Sequence, residues 1–134
     1  MKNETLNFMI RALILVGIGG GIGSIFRYLT AVVVNRYFHS SFPWATFAAN
    51  ILGCLIIGLL LGFFERHQLT NHDLKYMFIT GFCGGYTTFS TFAAENINLF
   101  HSGNTMTAFL YIASSILTGL FAVWLGLTLI KISM

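Results

Sequence analysis

Between Trp44 and Phe64 the chain offers no charged side chain, and the same is true between Met106 and Ile130. A helix needs about 20 consecutive apolar residues to cross the hydrocarbon core of a bilayer. Two further stretches approach that length. One runs from about Ala12 to Val34 and is interrupted by Arg27; the other runs from about Tyr76 to Ile97 and carries Glu95 near its end. The runs are long and continuous rather than alternating, which favours helices over barrel strands, because a helix satisfies its own backbone inside lipid. The expected fold class is all-α integral membrane. A single transmembrane domain over 1–134 would hold four helices at about 12–34, 44–64, 76–97 and 106–130.

Composition excludes the alternatives. Only 8% of the residues are charged, against about 25% in an average soluble domain, too few to coat a water-facing surface. The same poverty of charge, with 14 phenylalanines, excludes disorder. The net charge of +3 comes from seven scattered basic residues, not from the patch a nucleic-acid binder presents. The connections at 36–41, 65–75 and 101–105 are short and polar, and Pro43 stands where the second helix should begin, a position that tolerates proline. Lys2 and Arg11 ahead of an apolar run resemble a signal peptide, but no small-residue cleavage site with a polar mature sequence follows, so none is expected.

Orientation follows from the basic residues. An even number of spans places Lys2, Arg11, Arg66, Lys75 and Lys131 on one side and Arg36 on the other. Five against one predicts cytoplasmic termini for a multi-pass protein of the cytoplasmic (inner) membrane. Cys54 and Cys83 both fall inside apolar stretches, which argues against a disulfide framework.

Polar residues at membrane depth carry the functional information, because placing them there costs free energy. Arg27 either snorkels to the interface or faces a water-filled vestibule, where it would attract an anion. Asn50 either bonds to a neighbouring helix or lines a pore as an N–H donor. Glu95 either sits in the interface or serves the site. Tyr111, Ser115 and Thr118 share one face of the fourth stretch, at i, i+4 and i+7. Gly17/Gly21, Gly19/Gly23 and Gly58/Gly62 have the small-xxx-small spacing of close helix contacts. The Gly17–Gly23 run lacks the register and the βαβ setting of a dinucleotide loop. Walker, HExxH and GxSxG motifs are absent, and no enzyme chemistry is expected.

The segment Thr80-Gly81-Phe82-Cys83-Gly84-Gly85-Tyr86-Thr87-Thr88-Phe89-Ser90-Thr91-Phe92 is the most informative. Glycine lowers helix stability by about 1 kcal/mol relative to alanine, so a break near 81–88 is expected inside the third helix. Broken helices persist in membranes only where they are buried in protein or line a cavity. Their freed carbonyls hold cations, and their N-termini attract anions. Phe89 and Phe92, at i and i+3, point the same way, and their electropositive ring edges suit an anion that must be accompanied without being trapped.

These residues resemble the Fluc (CrcB) family of fluoride channels. Gly81-Phe82-Cys83-Gly84-Gly85 followed by Thr87-Thr88-Phe89-Ser90-Thr91-Phe92 looks like the family signature. Gly19-Gly20-Gly21-Ile22-Gly23 with Arg27-Tyr28, and Thr46 with Asn50-Ile51-Leu52-Gly53, resemble its first two helices. The resemblance implies an antiparallel dual-topology dimer with two narrow fluoride pathways. It also implies a structural sodium ion at the dimer centre, held by the backbone carbonyls of Gly84 and Thr87. Pathway positions would be Asn50, Phe89, Phe92, Ser90, Thr91, Tyr111 and Ser115, with Arg27 as the vestibule cation. Ala45 and Tyr86 depart from the usual pattern. The uneven basic residues leave two assemblies open, a homodimer or a heterodimer with an oppositely oriented homologue.

The expected role is passive fluoride efflux across the lipid bilayer, which lowers cytoplasmic fluoride toxicity. A strongly hydrated anion needs donors to replace its water and weak, multiple sites to keep moving. One rival is a small proton-coupled exporter, which needs a titratable carboxylate in its chamber, typically in the first helix; the first stretch has none. The other is a non-transporting membrane assembly protein, which would leave Arg27, Asn50 and the hydroxyl face without a purpose.

Overall fold

A computed structural model describes residues 2–132, and every regular element among them is helical. Three helices are long and apolar enough to cross a membrane: α1 (Lys2–Tyr37), α2 (Trp44–Arg66) and α6 (Thr105–Ile132). Between α2 and α6 the path is divided. The short α3 (His72–Leu74), a π-helix (Lys75–Cys83) and α4 (Gly84–Tyr86) follow one another directly. Thr87 and Thr88 are extended, and α5 (Phe89–His101) follows. α5 has 13 residues, short of the roughly 20 that a spanning helix needs.

α1 is longer than the apolar run at 12–34 because its first turns dock on the start of the divided helix. Arg11 pairs with Asp73 at 2.5 Å. The Phe8 ring meets His72 and Tyr76 edge-on, at centroid distances of 6.4 and 6.0 Å. Lys2 begins the helix, and its side chain lies outside the described residues. Glu4 in the first turn and Arg36 in the last complement the helix dipole.

Two helix pairs build the bundle, and glycine makes both. α2 and α6 cross where a Cβ on Gly126 would lie 2.6 Å from the Leu55 carbonyl and 2.7 Å from the Leu59 nitrogen. α1 crosses the π-helix and α4, where a Cβ on Gly23 would lie 2.8 Å from the Tyr86 nitrogen. Gly81 and Gly85 belong to this second crossing: a Cβ on either would strike the α1 backbone at Val16 or Gly20. The interruption falls within the expected range of 81–88 but at its end. The glycines of 81–85 stay helical because they are used for close approach, and the extended residues are the two threonines that follow. Outward faces remain apolar, with Leu13, Ile25, Leu117 and Leu120 all exposed, as suits lipid contact in a multi-pass membrane protein. The tightest core, Leu99, Ala108 and Tyr111, is closed by Phe42, Phe47, Phe92 and Phe100.

Candidate functional site

The site is built around the two extended threonines. Thr88 has φ −150° and ψ 122° and acts as N-cap of α5, its hydroxyl accepting from the Thr91 N–H at 3.2 Å. A threonine cap satisfies one of the orphan N–H groups that open a helix. The same hydroxyl donates to Thr91 Oγ1 at 3.0 Å and lies 3.4 Å from Ser90 Oγ. Asn50, reaching across from α2, grips the Thr88 peptide groups from both sides. Its Oδ1 accepts the Thr88 N–H at 2.8 Å, and its Nδ2 donates to the Thr88 carbonyl at 3.0 Å. From α1, Arg27 donates to the Thr87 carbonyl at 3.4 Å.

These contacts release two backbone carbonyls. In a continuous helix, Gly84 O would accept from the Thr88 N–H, and Thr87 O from the Thr91 N–H. The first N–H goes instead to Asn50, and the second to the Thr88 hydroxyl. Thr87 closes the preceding helix, its N–H and its hydroxyl both donating to the Cys83 carbonyl at 3.0 and 2.8 Å.

A cavity of about 460 Å³ opens beside the break, lined by Asn50, Gly84, Thr87, Phe92 and Ser115 among others. The walls are mainly apolar, with Ile51, Ile57 and Ile79 beside the polar groups. Gly84 presents open space where a side chain would stand. Ser115 Oγ is buried without a protein partner. Asn50 carries a second Nδ2–H that has no acceptor among the described residues. Phe89 is 80% exposed on the cavity rim, its ring 5.9 Å from that of Phe92. Phe92 turns edge-to-face against Tyr111 at 4.9 Å.

The fourth-stretch hydroxyls do not act as a single stripe. Tyr111 is fully buried and donates to Glu95 Oε2 at 2.8 Å. Thr118 bonds back to the Ser114 carbonyl at 2.6 Å, leaving Ser115 as the one that faces the cavity. Thr46 donates to Glu95 Oε1 at 2.6 Å, so one carboxylate draws hydroxyls from α2 and α6. A charge held by two such bonds is partly compensated for leaving water. Ser90 and Thr91 lie on the exposed side of the first turn of α5. Sequence reasoning did not place Thr88 in the site, although a threonine immediately before an apolar helical run is an N-cap signal.

The chain matches known proteins over most of its length. A family model described as "CrcB-like protein, Camphor Resistance (CrcB)" matches residues 14–127. A protein of Flavobacterium psychrophilum named fluoride-specific ion channel FluC is 48% identical over 122 residues, covering 91% of this chain and 98% of the relative. Proteins of the same name from Azobacteroides pseudotrichonymphae and Rhizobium etli are 46% and 40% identical, covering 88% and 92% of this chain and 94% and 98% of their own lengths. With its paired glycine crossings and its clamped threonine break inside the matched region, the chain belongs to the CrcB family.

Proposed function

We propose that this chain is a subunit of a fluoride-selective channel that lets fluoride leave the cell passively through the inner membrane. The relatives' names support this reading. The structural observation that carries it is the Asn50-clamped break beside a cavity that offers hydrogen-bond donors but no lysine or arginine among its lining residues. The donors left to an anion are the second Asn50 N–H, the Ser115 hydroxyl and the ring edges of Phe89 and Phe92. The Tyr111 and Thr46 hydroxyl protons are already committed to Glu95. Several weak donors in an apolar wall replace hydration without a countercharge that would hold the ion. Arg27 lies away from that wall and supplies a cation on the α1 side of the break.

In this reading α3, the π-helix, α4 and α5 together form the third of four spans, since no one of them is long enough alone. Gly84 and Thr87 would offer oxygen donors to a hard cation, which is what such ions take: both carbonyls have lost their helical partners, and at Thr87 the ion would take the place of the 3.4 Å bond from Arg27. Two carbonyls make only part of a coordination shell, which favours a second chain of opposite orientation supplying the rest. A bound sodium would add fixed positive charge at the break. Cytoplasmic termini in the majority orientation accord with the basic residues.

Fluoride efflux from liposomes carrying the purified protein tests the proposal. The expected result is electrogenic fluoride loss without a pH gradient and no chloride loss. Efflux that requires a proton gradient would overturn it in favour of an exporter working through Glu95, and silence from a folded sample would overturn a channel made by this chain alone. Phe92→Ile removes the aromatic edge beside Ser115 while keeping apolar bulk, and flux should fall roughly tenfold, the upper range of one aromatic interaction. Unchanged flux in a folded Phe92→Ile sample would remove the ring edges from the mechanism.

A further inference from the structure

Tyr86, the last residue before the extended pair, is 5% exposed, a phenol buried between helices. Its hydroxyl lies 2.9 Å from Thr30 Oγ1, which itself bonds at 2.9 Å to the Phe26 carbonyl. With the Thr30 hydroxyl proton directed at Phe26, the Tyr86 O–H is the donor to Thr30. The ring stacks on Phe82 at 5.9 Å and 8°, which fixes its plane. Thr30 stands one turn beyond Arg27 on the same face of α1, and Arg27 donates to the carbonyl of the next residue, Thr87. α1 therefore holds both sides of the Tyr86–Thr87 peptide bond, while Asn50 of α2 holds Thr88.

We propose that Tyr86 is a positioning residue of the ion pathway: its hydroxyl, donated to Thr30, holds the break in register against α1. In doing so it sets the direction of the Thr87 carbonyl and the start of α5. The inference rests on the channel reading. It goes beyond that reading by giving a role to a residue that is not itself among those lining the cavity. A tyrosine whose ring alone mattered would be replaced by phenylalanine without consequence. Here the ring is already packed, and the hydroxyl is what reaches α1.

The experiment is a double-mutant cycle on fluoride efflux from vesicles, with thermal unfolding of each variant in detergent measured in parallel. Tyr86→Phe should lower flux roughly two- to tenfold, the range one neutral hydrogen bond supports. Thr30→Val should lower it as much, and the double variant no further, because both singles delete the same bond. Thr30→Ser, which keeps the acceptor, should retain wild-type flux. Tyr86→Phe with wild-type flux and only a lower unfolding temperature overturns the proposal in favour of a structural tyrosine. Singles whose losses multiply in the double overturn it as well. If Tyr86→Phe does not fold, Thr30→Val against Thr30→Ser decides, and equal flux in those two is again a refutation. Wild-type vesicles that hold their fluoride overturn a channel made by this chain alone, a different result from any variant's failure.

Discussion

Asn50→Leu should reduce fluoride flux by about a hundredfold or more while leaving a protein that still extracts and elutes as a folded species. Leucine shares asparagine's branching at Cγ and suits an apolar helix, so α2 loses nothing in propensity. What disappears is both bonds to the Thr88 backbone. A buried amide or carbonyl left without a partner costs about 1–3 kcal/mol, and two groups are orphaned here. The chain has a cheap way to avoid that cost: let the Thr88 N–H return to Gly84 O and continue the helix through the break. The Gly84 carbonyl would then be reclaimed, the N-cap of α5 lost and Phe92 rotated away from Ser115. The substitution thus removes a donor from the cavity and the geometry that holds the others. Vesicle efflux with the variant at wild-type rates would mean that the break keeps its form without Asn50, and the clamp would lose its functional meaning. Asn50→Asp separates the two bonds, since a carboxylate still accepts the Thr88 N–H but repels its carbonyl; its flux should fall between those of wild type and Asn50→Leu.

The same residue shows where sequence reading stops. A charge-free run in lipid has one way to satisfy its backbone, so α2 and α6 were readable from composition alone. That Asn50 is special was readable too, because a lone amide in an apolar run needs a purpose. Its partner was not: Asn50 and Thr88 are 38 residues apart, and Arg27 and Thr87 are 60 apart. Only the helix crossings bring them together. The helical face shared by Tyr111, Ser115 and Thr118 was a correct periodicity with three different fates, because hydroxyls choose partners by reach. Glu95 captures Tyr111, the preceding turn captures Thr118, and Ser115 is left over. The π-helix gave no sequence signal at all. Its residues, Lys75-Tyr76-Met77-Phe78-Ile79-Thr80-Gly81-Phe82-Cys83, would suit an α-helix as well, and i→i+5 bonding at such places commonly marks a functional site.

Glycine supplies the other large effect, and the contrast between neighbouring glycines makes it informative. Gly17, Gly19, Gly21 and Gly23 lie within two turns of α1 and read as equivalent small-residue spacings. The structure divides them. A Cβ on Gly19 would press on the Met77 carbonyl, and one on Gly23 on the Phe82 carbonyl and the Tyr86 nitrogen, all backbone atoms that cannot move without the helix. Gly17 and Gly21 have nothing within 4 Å. Gly23→Ala should therefore cost about 3 kcal/mol or more, the upper range of overpacking, since the strain falls on main chain. It should also push α4 away from Arg27 and abolish flux. Gly17→Ala should instead be neutral or stabilising by up to about 1 kcal/mol, the helix propensity gained. Unfolding of both variants in detergent, alongside vesicle efflux, reads the difference directly. Equal tolerance at both positions would contradict the close crossing of α1 and α4. An equally deep loss at Gly17 would mean that a second chain lies against that open face, because nothing in this chain reaches it.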